Sequence, residues 1–531
     1  MASATSIAPV PPTERLGLSY WMGRVRKELD RVCSTRDPDA IHDLRVAIRR
    51  CRSLAAALQE ADPTPGWKQL RKVPVKLFRE LGAWRDAQVL EDWVRRLAPD
   101  EEDPARVRLL EILEAREHDA QAAALRAAER FDAASWKRLE RALRRRVQLV
   151  PPDGPAAQCL ALERFEAAHE LHARALRTEM PKPWHVLRIG LKKFRYTAEN
   201  LLPQQYAGWE ESLKRAQDLL GDVHDLDVLA DLLKGETGHL PAESAAAFRR
   251  TQEREREERL QTYRQLTLGR TGLWHTWRSG LPQGAQIEDA AQARLRVTAR
   301  ALDPRRRRTS KVSRLALRIS EALAAAGATP LLGEAAARRI LHAAAHLHGI
   351  GGAQDRKPPH KAARALLQKL PAPPGWSNAE WELLAETVRY HRGAEPKPGH
   401  RGFAALSEEQ QRLVRLLAGL LRVARALRRC GVEAQPGLRA QSSGETLVLR
   451  VPRWANRLEN VSRLAAGKHL LEQALGRPLL IEPVEKAVPF APETENAVLG
   501  DRKAANVSGD RKAVNVSGDR KAVNGIAAPS D

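Results

Sequence analysis

The chain has 531 residues, a formal charge of +23 and 43% hydrophobic residues, enough for two or three domains with real cores. Its four cysteines, Cys33, Cys51, Cys159 and Cys430, lack C-x-x-C spacing, which argues against a zinc site or a disulfide framework. No apolar run reaches the ~18 residues of a membrane span, and Met1 to Pro12 lacks the basic and apolar parts of a signal peptide, so a soluble cytoplasmic protein without membrane contact is expected.

Residues 1–13 are small, Pro-rich and expected to be disordered. Beyond them, strand signals are nearly absent before residue 440, and apolar residues recur at helical spacing. The first informative element runs from Ile41 to Leu58. On a helix, His42, Arg45, Arg49 and Arg52 fall within an arc of about 80°. Leu44, Ile48, Cys51 and Ala55 form an apolar face roughly 110° away. One face is thus built for burial and another carries a cationic stripe. Lys68, Arg71, Lys72, Lys76 and Arg79 follow, largely on one helical face, with Pro74 expected to kink it. Leu81 to Leu90 (LGAWRDAQVL) and the helical stretch Leu109 to Ala128 come next, and Pro151 to Pro155 break the first half from the second.

The second half repeats the first. After a helical stretch from Ala156 to Arg177, Trp184 to Leu201 aligns with Ile41 to Leu58 without a gap at an offset of 143. His185, Arg188, Lys192, Lys193 and Arg195 match His42, Arg45, Arg49, Arg50 and Arg52. Leu220 to Leu229 (LGDVHDLDVL) repeats Leu81 to Leu90 at an offset of 139, and the Asp shared by both (Asp86, Asp225) is suited to orienting a basic partner. Five cations, Lys68 to Arg79, lie between the first pair of elements, whereas only Lys214 and Arg215 lie between the second, so the first half should bind anions more strongly. A charged stretch on a helix is ordinarily a solvated face. Here it recurs with a His at the same place, and Asp43 and Glu199 are its only acids, which points to a polyanion site.

H-x-L-R-V-x-x-R-R-x-R, repeated as H-x-L-R-I-x-x-K-K-x-R, with L-G-x-x-x-D after each, resembles the CHAD family (conserved histidine α-helical domain) over roughly residues 14–280, with halves at about 14–150 and 156–280. The resemblance implies two pseudo-symmetric helical bundles around a basic cavity, binding of inorganic polyphosphate and association with polyphosphate granules. The chemistry fits: a polymer with one charge per phosphate and no bases calls for guanidinium forks and ammonium point charges. Arg45, Arg49 and Arg52 are the leading candidates. His42 and His185 would add charge if protonated, or orient a neighbouring arginine. Net charge does not mark the site, because residues 1–290 carry only +4 and residues 291–531 carry +19.

Residues 281–309 are expected as a linker, in which Pro282, Gly284 and Pro304 flank helical sequence and the basic run Arg305 to Arg308 follows. From 310 to 483 the chain resembles the HD-type domain of the exopolyphosphatase and guanosine pentaphosphatase family, on Ala343 to Gly352, His360, Val388 to Arg392 and Leu420 to Leu427. It departs from that family where metal chemistry would sit. The His-Asp doublet is His348-Gly349, and the late aspartate is Arg425, whose guanidinium would repel a divalent cation. Neither a metal nor another cofactor is expected, nor a catalytic residue. With Arg422, Arg425, Arg428 and Arg429, this half suits a second anion surface. Glu445 to Val451 and Pro478 to Glu482 read as strands around a helix from Val461 to Leu475. A tail at 484–531 carries three near copies of a nine-residue unit from Gly500 and is expected to be disordered.

The expected fold is mainly α: two pseudo-symmetric bundles, an all-helical HD-like domain and a small α/β element. The expected function is non-catalytic polyphosphate binding. Two readings stay open beside it. Nucleic acid would be attracted non-specifically to so basic a chain, although no helix-turn-helix, zinc finger or RNP motif is present. Exopolyphosphatase-like hydrolysis is disfavoured by Gly349 and Arg425.

Overall fold

The computed structural model describes residues 17–35, 38–236, 238–353, 358–434, 438–452 and 457–484. The disorder expected at 1–13 and along the tail lies outside these residues, save Val484, which ends the last strand.

The repeat in the sequence is a repeat in space. The first half is α1 (Leu18–Thr35), α2 (Pro38–Ala61), α3 (Pro65–Lys72), α4 (Val75–Leu97), α5 (Pro104–Glu129) and α6 (Ala133–Leu143). The second is α7 (Pro155–Ala175), α8 (Pro181–Leu201), α9 (Pro203–Glu236), α10 (Ala242–Thr267) and α11 (Leu273–Ser279). Helix α1 packs on α2 as α7 packs on α8, and α4 on α5 as α9 on α10. The halves meet where α2 touches α8 and α4 touches α9. Proline, pre-set for the first helical turn, opens α3, α5, α7 and α8. Pro74 does more than kink: it separates α3 from α4, whereas the matching stretch of the second half is the single helix α9.

The apolar faces of the repeated helices behave as their spacing predicts. Leu44, Ile48, Cys51 and Ala55 on α2, and Leu187, Leu191, Phe194 and Ala198 on α8, are all fully buried. Truncating one of the large members, such as Phe194, would cost about 3–5 kcal/mol. Trp67, Trp93, Trp136, Trp184 and Trp277 are likewise buried as packing anchors.

The helical sequence within the segment expected as a linker is the helix α12 (Ala285–Leu302). It sits between two cores. Val297 joins the core of the N-terminal bundles, while Ala291, Leu295 and Ala299 join that of the C-terminal half. Arg294, 2% exposed, donates to Glu163 Oε1 at 2.5 Å and to Glu60 O at 3.3 Å, and Thr298 donates to Ala61 O at 2.8 Å. These buried polar contacts tie the helix to α2 and α7, a packing that apolar periodicity does not reveal.

The C-terminal half continues with α13 (Arg306–Ala325), α14 (Ala335–Leu347), α15 (Pro359–Leu367), α16 (Asn378–Tyr390), α17 (Arg401–Ala404) and α18 (Glu408–Arg429). Ser377 and Ser407 open α16 and α18 with capping boxes. A three-stranded sheet follows: β1 (Arg439–Ser443) antiparallel to β2 (Thr446–Pro452), and β2 parallel to β3 (Leu479–Val484) after a crossover through α19 (Leu458–Leu475). Strand β1 escaped the sequence reading because it is an exposed edge of Arg, Gln and Ser with no apolar alternation.

Candidate anion-binding site

The cationic faces of α2 and α8 open onto one cavity of about 580 Å³. Arg45, Arg49 and Arg52 of α2 line it, and so do Arg188, Lys192 and Lys193 of α8. The floor and walls add Phe78 from α4, Tyr196 and Thr197 from α8, and His224 and Asp225 from α9. The Arg52 guanidinium lies over the Phe78 ring at 4.6 Å and Arg49 over Tyr196 at 5.5 Å, so aromatic faces hold the forks in place without consuming their N–H donors. The Nε atoms of Arg49, Arg52 and Arg188 are buried without a hydrogen-bond partner among the described residues.

Of the two repeated aspartates, Asp86 bonds to a cavity cation, Arg45. Arg45 donates through Nη1 to Leu81 O at 3.1 Å and through Nη2 to Asp86 Oδ1 at 3.4 Å. A Cβ on Gly82 would stand 2.9 Å from Arg45 Nη1, so the glycine is what lets the guanidinium lie down on α4. Gly221, its counterpart, has nothing within 4 Å of that position. Asp225 lies on the cavity wall, where burial pushes its carboxyl up to about 6 against the pull of Arg188. Burial and the adjacent Arg188 and Arg49 bring the Lys192 ammonium down to about 8. Burial also lowers Arg49 and Arg52. A cluster of like charges that its own fold penalises is relieved by an anion.

Other expected residues lie elsewhere. Arg50 is turned away: its Nη2 meets Glu199 Oε1 at 2.5 Å and its guanidinium lies over Trp21 at 4.6 Å. Arg195 donates to the Tyr206 hydroxyl at 3.3 Å and does not line the cavity. Lys68, Lys72, Lys76, Arg79 and Lys214 are exposed and outside the lining, and Arg79 pairs with Glu80 at 2.7 Å. Of that cluster only Arg71 reaches the cavity. The break at Pro74 turns most of this face to solvent.

The repeated histidines also differ from expectation. His42 is exposed and faces a separate groove with Arg45, Trp84, Arg85 and Gln88. His185 shares a hydrogen bond with His224, Nδ1 to Nδ1 at 3.1 Å. Burial and the nearby Arg188 lower both rings, His224 to about 4, so this pair is neutral near pH 7 and adds no charge to the cavity. Arg164 of α7 was not anticipated. It lines the cavity and meets Glu60 at 2.7 Å, but no motif surrounds it.

In the C-terminal half, a second hollow of about 190 Å³ occupies the place where His348, Gly349, His391 and Arg425 come together. The run Arg305 to Arg308 divides. Arg305 and Arg308 face this cleft, whereas Arg306 and Arg307 face a neighbouring groove with Arg296, Arg300 and Arg314. A Cβ on Gly349 would fall 2.5 Å from both Asp303 Oδ2 and Thr309 Oγ1, so an aspartate there would have to displace both side chains. Burial and the adjacent Arg392 and Arg429 bring the Arg425 guanidinium down to about 10. Among the described residues no group of three His, Cys, Asp or Glu side chains could hold a metal ion, and no helix is long and apolar enough to cross a membrane.

Comparison with known proteins agrees with both motif resemblances. Residues 22–234 match the model of the CHAD domain, and residues 298–461 match that of Ppx/GppA phosphatase, domain III. Among solved structures, the crystal structure of the CHAD domain from the plant Ricinus communis is 25% identical, covers 50% of this chain and 88% of that chain, and superposes with a TM-score of 0.33. No curated protein matches the chain.

Proposed function

We propose that this chain, which carries a CHAD domain followed by a Ppx/GppA phosphatase domain III, binds inorganic polyphosphate without hydrolysing it and sits on polyphosphate granules. One observation carries the reading: six cations from two repeated helices converge on a single cavity, with buried guanidinium nitrogens lacking partners. Arginine forks match non-bridging phosphate oxygens in pairs, and the lysines add charge without geometric demand. The cavity contains no nucleophile paired with a base; its one histidine, His224, is tied to His185. The arginine-lined hollows of the C-terminal half serve as a second anion surface.

A competition experiment tests the proposal. Labelled long-chain polyphosphate is bound to the full chain and challenged with duplex DNA at equal phosphate concentration. Polyphosphate is expected to hold its place over at least a tenfold excess of DNA. Displacement at parity would leave only non-specific polyanion binding. Incubation with a divalent cation should release no orthophosphate, and steady release would overturn the non-catalytic reading.

A further inference from the structure

The small cleft around His348 differs in kind from the large cavity, and the difference points to a ligand. Its rim is cationic: Arg392 and Arg425 with Arg305 and Arg308 at the start of α13. No acid among the described residues pairs with the Arg392 or Arg425 side chain. Beneath the rim, His348 and His391 offer hydrogen-bond acceptors. His348 Nδ1 lies 2.9 Å from Ala345 O and His391 Nδ1 lies 2.7 Å from Val388 O. A carbonyl only accepts, so each Nδ1 carries the proton and each Nε2 keeps its lone pair. The two rings stand 5.0 Å apart and both line the cleft. Asp303 is buried beside them, one carboxylate oxygen taking the Arg305 N–H at 2.8 Å.

A cationic rim above these acceptors asks for an anion that also carries a hydroxyl donor. Interior units of a phosphate chain have no P–OH near neutral pH. A terminal phosphate does, because its second proton titrates at about 6 to 7. We infer that the cleft formed by His348, His391, Asp303 and Arg425 recognises the terminal phosphate of a phosphoanhydride chain, with pyrophosphate as the smallest ligand. Here Arg425 supplies the positive charge, and the imidazole lone pairs turn to the P–OH. The size of the hollow, about 190 Å³ against about 580 Å³, suits a chain end rather than a strand passing through.

This inference rests on the C-terminal half being an anion surface, and the test separates the two. The probe pair is pyrophosphate, which has two ends, and trimetaphosphate, a ring with none; their net charges near neutral pH are similar. Calorimetric titrations use the full chain with Arg45→Ala and Arg188→Ala, which weaken the large cavity, in metal-free buffer. Pyrophosphate is expected to bind at one site at least about tenfold more tightly than trimetaphosphate. Arg425→Met should remove that binding and Arg425→Lys should restore part of it. Equal affinity for ring and chain would overturn end recognition, as would no binding of either. Should Arg425→Met fail to fold, the ring-against-chain comparison still decides. Long-chain polyphosphate binding by the unaltered chain reports on the broader proposal alone.

Discussion

Helices α2 and α8 carry the same motif, yet they do not contribute the same positions to the cavity. Arg45 and Arg188 both line it, as do Arg49 and Lys192. The last two pairs then trade places. In α2 it is Arg52 that reaches the cavity and Arg50 that is held by Glu199; in α8 it is Lys193 that lines it and Arg195 that is held by Tyr206. For the Arg50 and Lys193 pair the origin lies at one position. Position 199 corresponds to position 56 at the offset of 143, and there the first copy has Ala56. Glu199 reaches across to neutralise Arg50, while no acid at 56 does the same to Lys193. Each helix keeps three cations in the cavity. Neighbours, rather than place in the motif, decide which cation is available.

The comparison breaks most completely where the copies agree. Arg45→Glu with Arg188→Glu inverts the matched pair and should weaken long-chain polyphosphate binding by on the order of a hundredfold or more, with helical circular dichroism retained. Undiminished affinity in a folded variant would move the site off the repeated helices. Ala56→Glu tests the divergence itself. It recreates the second copy's acid in the first, should pair with Lys193, and should reduce affinity about tenfold. Glu199→Ala is the reciprocal change. It breaks the Arg50 pair, whose carboxylate side is only 7% exposed, and should cost about 2 kcal/mol in denaturant melts while leaving affinity undiminished. A large affinity loss there would show that Arg50 had to be held for the cavity to form.

The motif helices and their two faces were legible because a 3.6-residue period and an ungapped repeat are properties of sequence. The choice among motif cations was not, because it depends on Glu199 and Tyr206, residues that carry no cationic signature. Lys68, Lys72, Lys76 and Arg79 share a face with Arg71, but the break at Pro74 decides which way that face looks. Arg164 reaches the cavity from a helix whose sequence reads as packing. The burial of helix α12 between two cores was concealed by Arg294 and Thr298, polar residues that are buried because they bond backbone and carboxylate oxygens of the N-terminal bundles. The charge inversion in the C-terminal cleft was legible from Gly349 and Arg425. That Asp303 fills the space beside Gly349 was not.

A pH series sharpens the same comparison, because one titrating group lies on each side of neutrality and both belong to the second half. Lys192 titrates near 8 in the free chain, and a bound polyanion raises it. Above that pH the site must take up a proton to bind, so affinity falls. Asp225 titrates near 6, and below that pH its carboxyl becomes neutral and the cavity more positive, so affinity rises. Interior phosphates stay ionised throughout. Affinity should therefore fall steadily from about pH 5.5 to about pH 9, by roughly fivefold to tenfold in total. Lys192→Arg should flatten the upper limb only. A flat profile in the unaltered chain would remove both groups from the binding surface.

The smallest expected effect is also the most pointed, since it compares two glycines at one place in the repeat. Alanine is the better helix former at both, favouring the helix by about 0.5–1 kcal/mol. At Gly221 nothing stands in the way, so Gly221→Ala should raise stability and leave polyphosphate affinity unchanged. At Gly82 the added methyl meets the Arg45 guanidinium at 2.9 Å and must push it off Leu81 O and Asp86. The far end of an arginine can yield, so the protein folds, but the fork loses its fixed orientation. Gly82→Ala should weaken polyphosphate binding about threefold with little change in melting temperature. Equal behaviour of the two variants would mean that Arg45 is not oriented through α4, and that the repeated glycine serves helix packing alone.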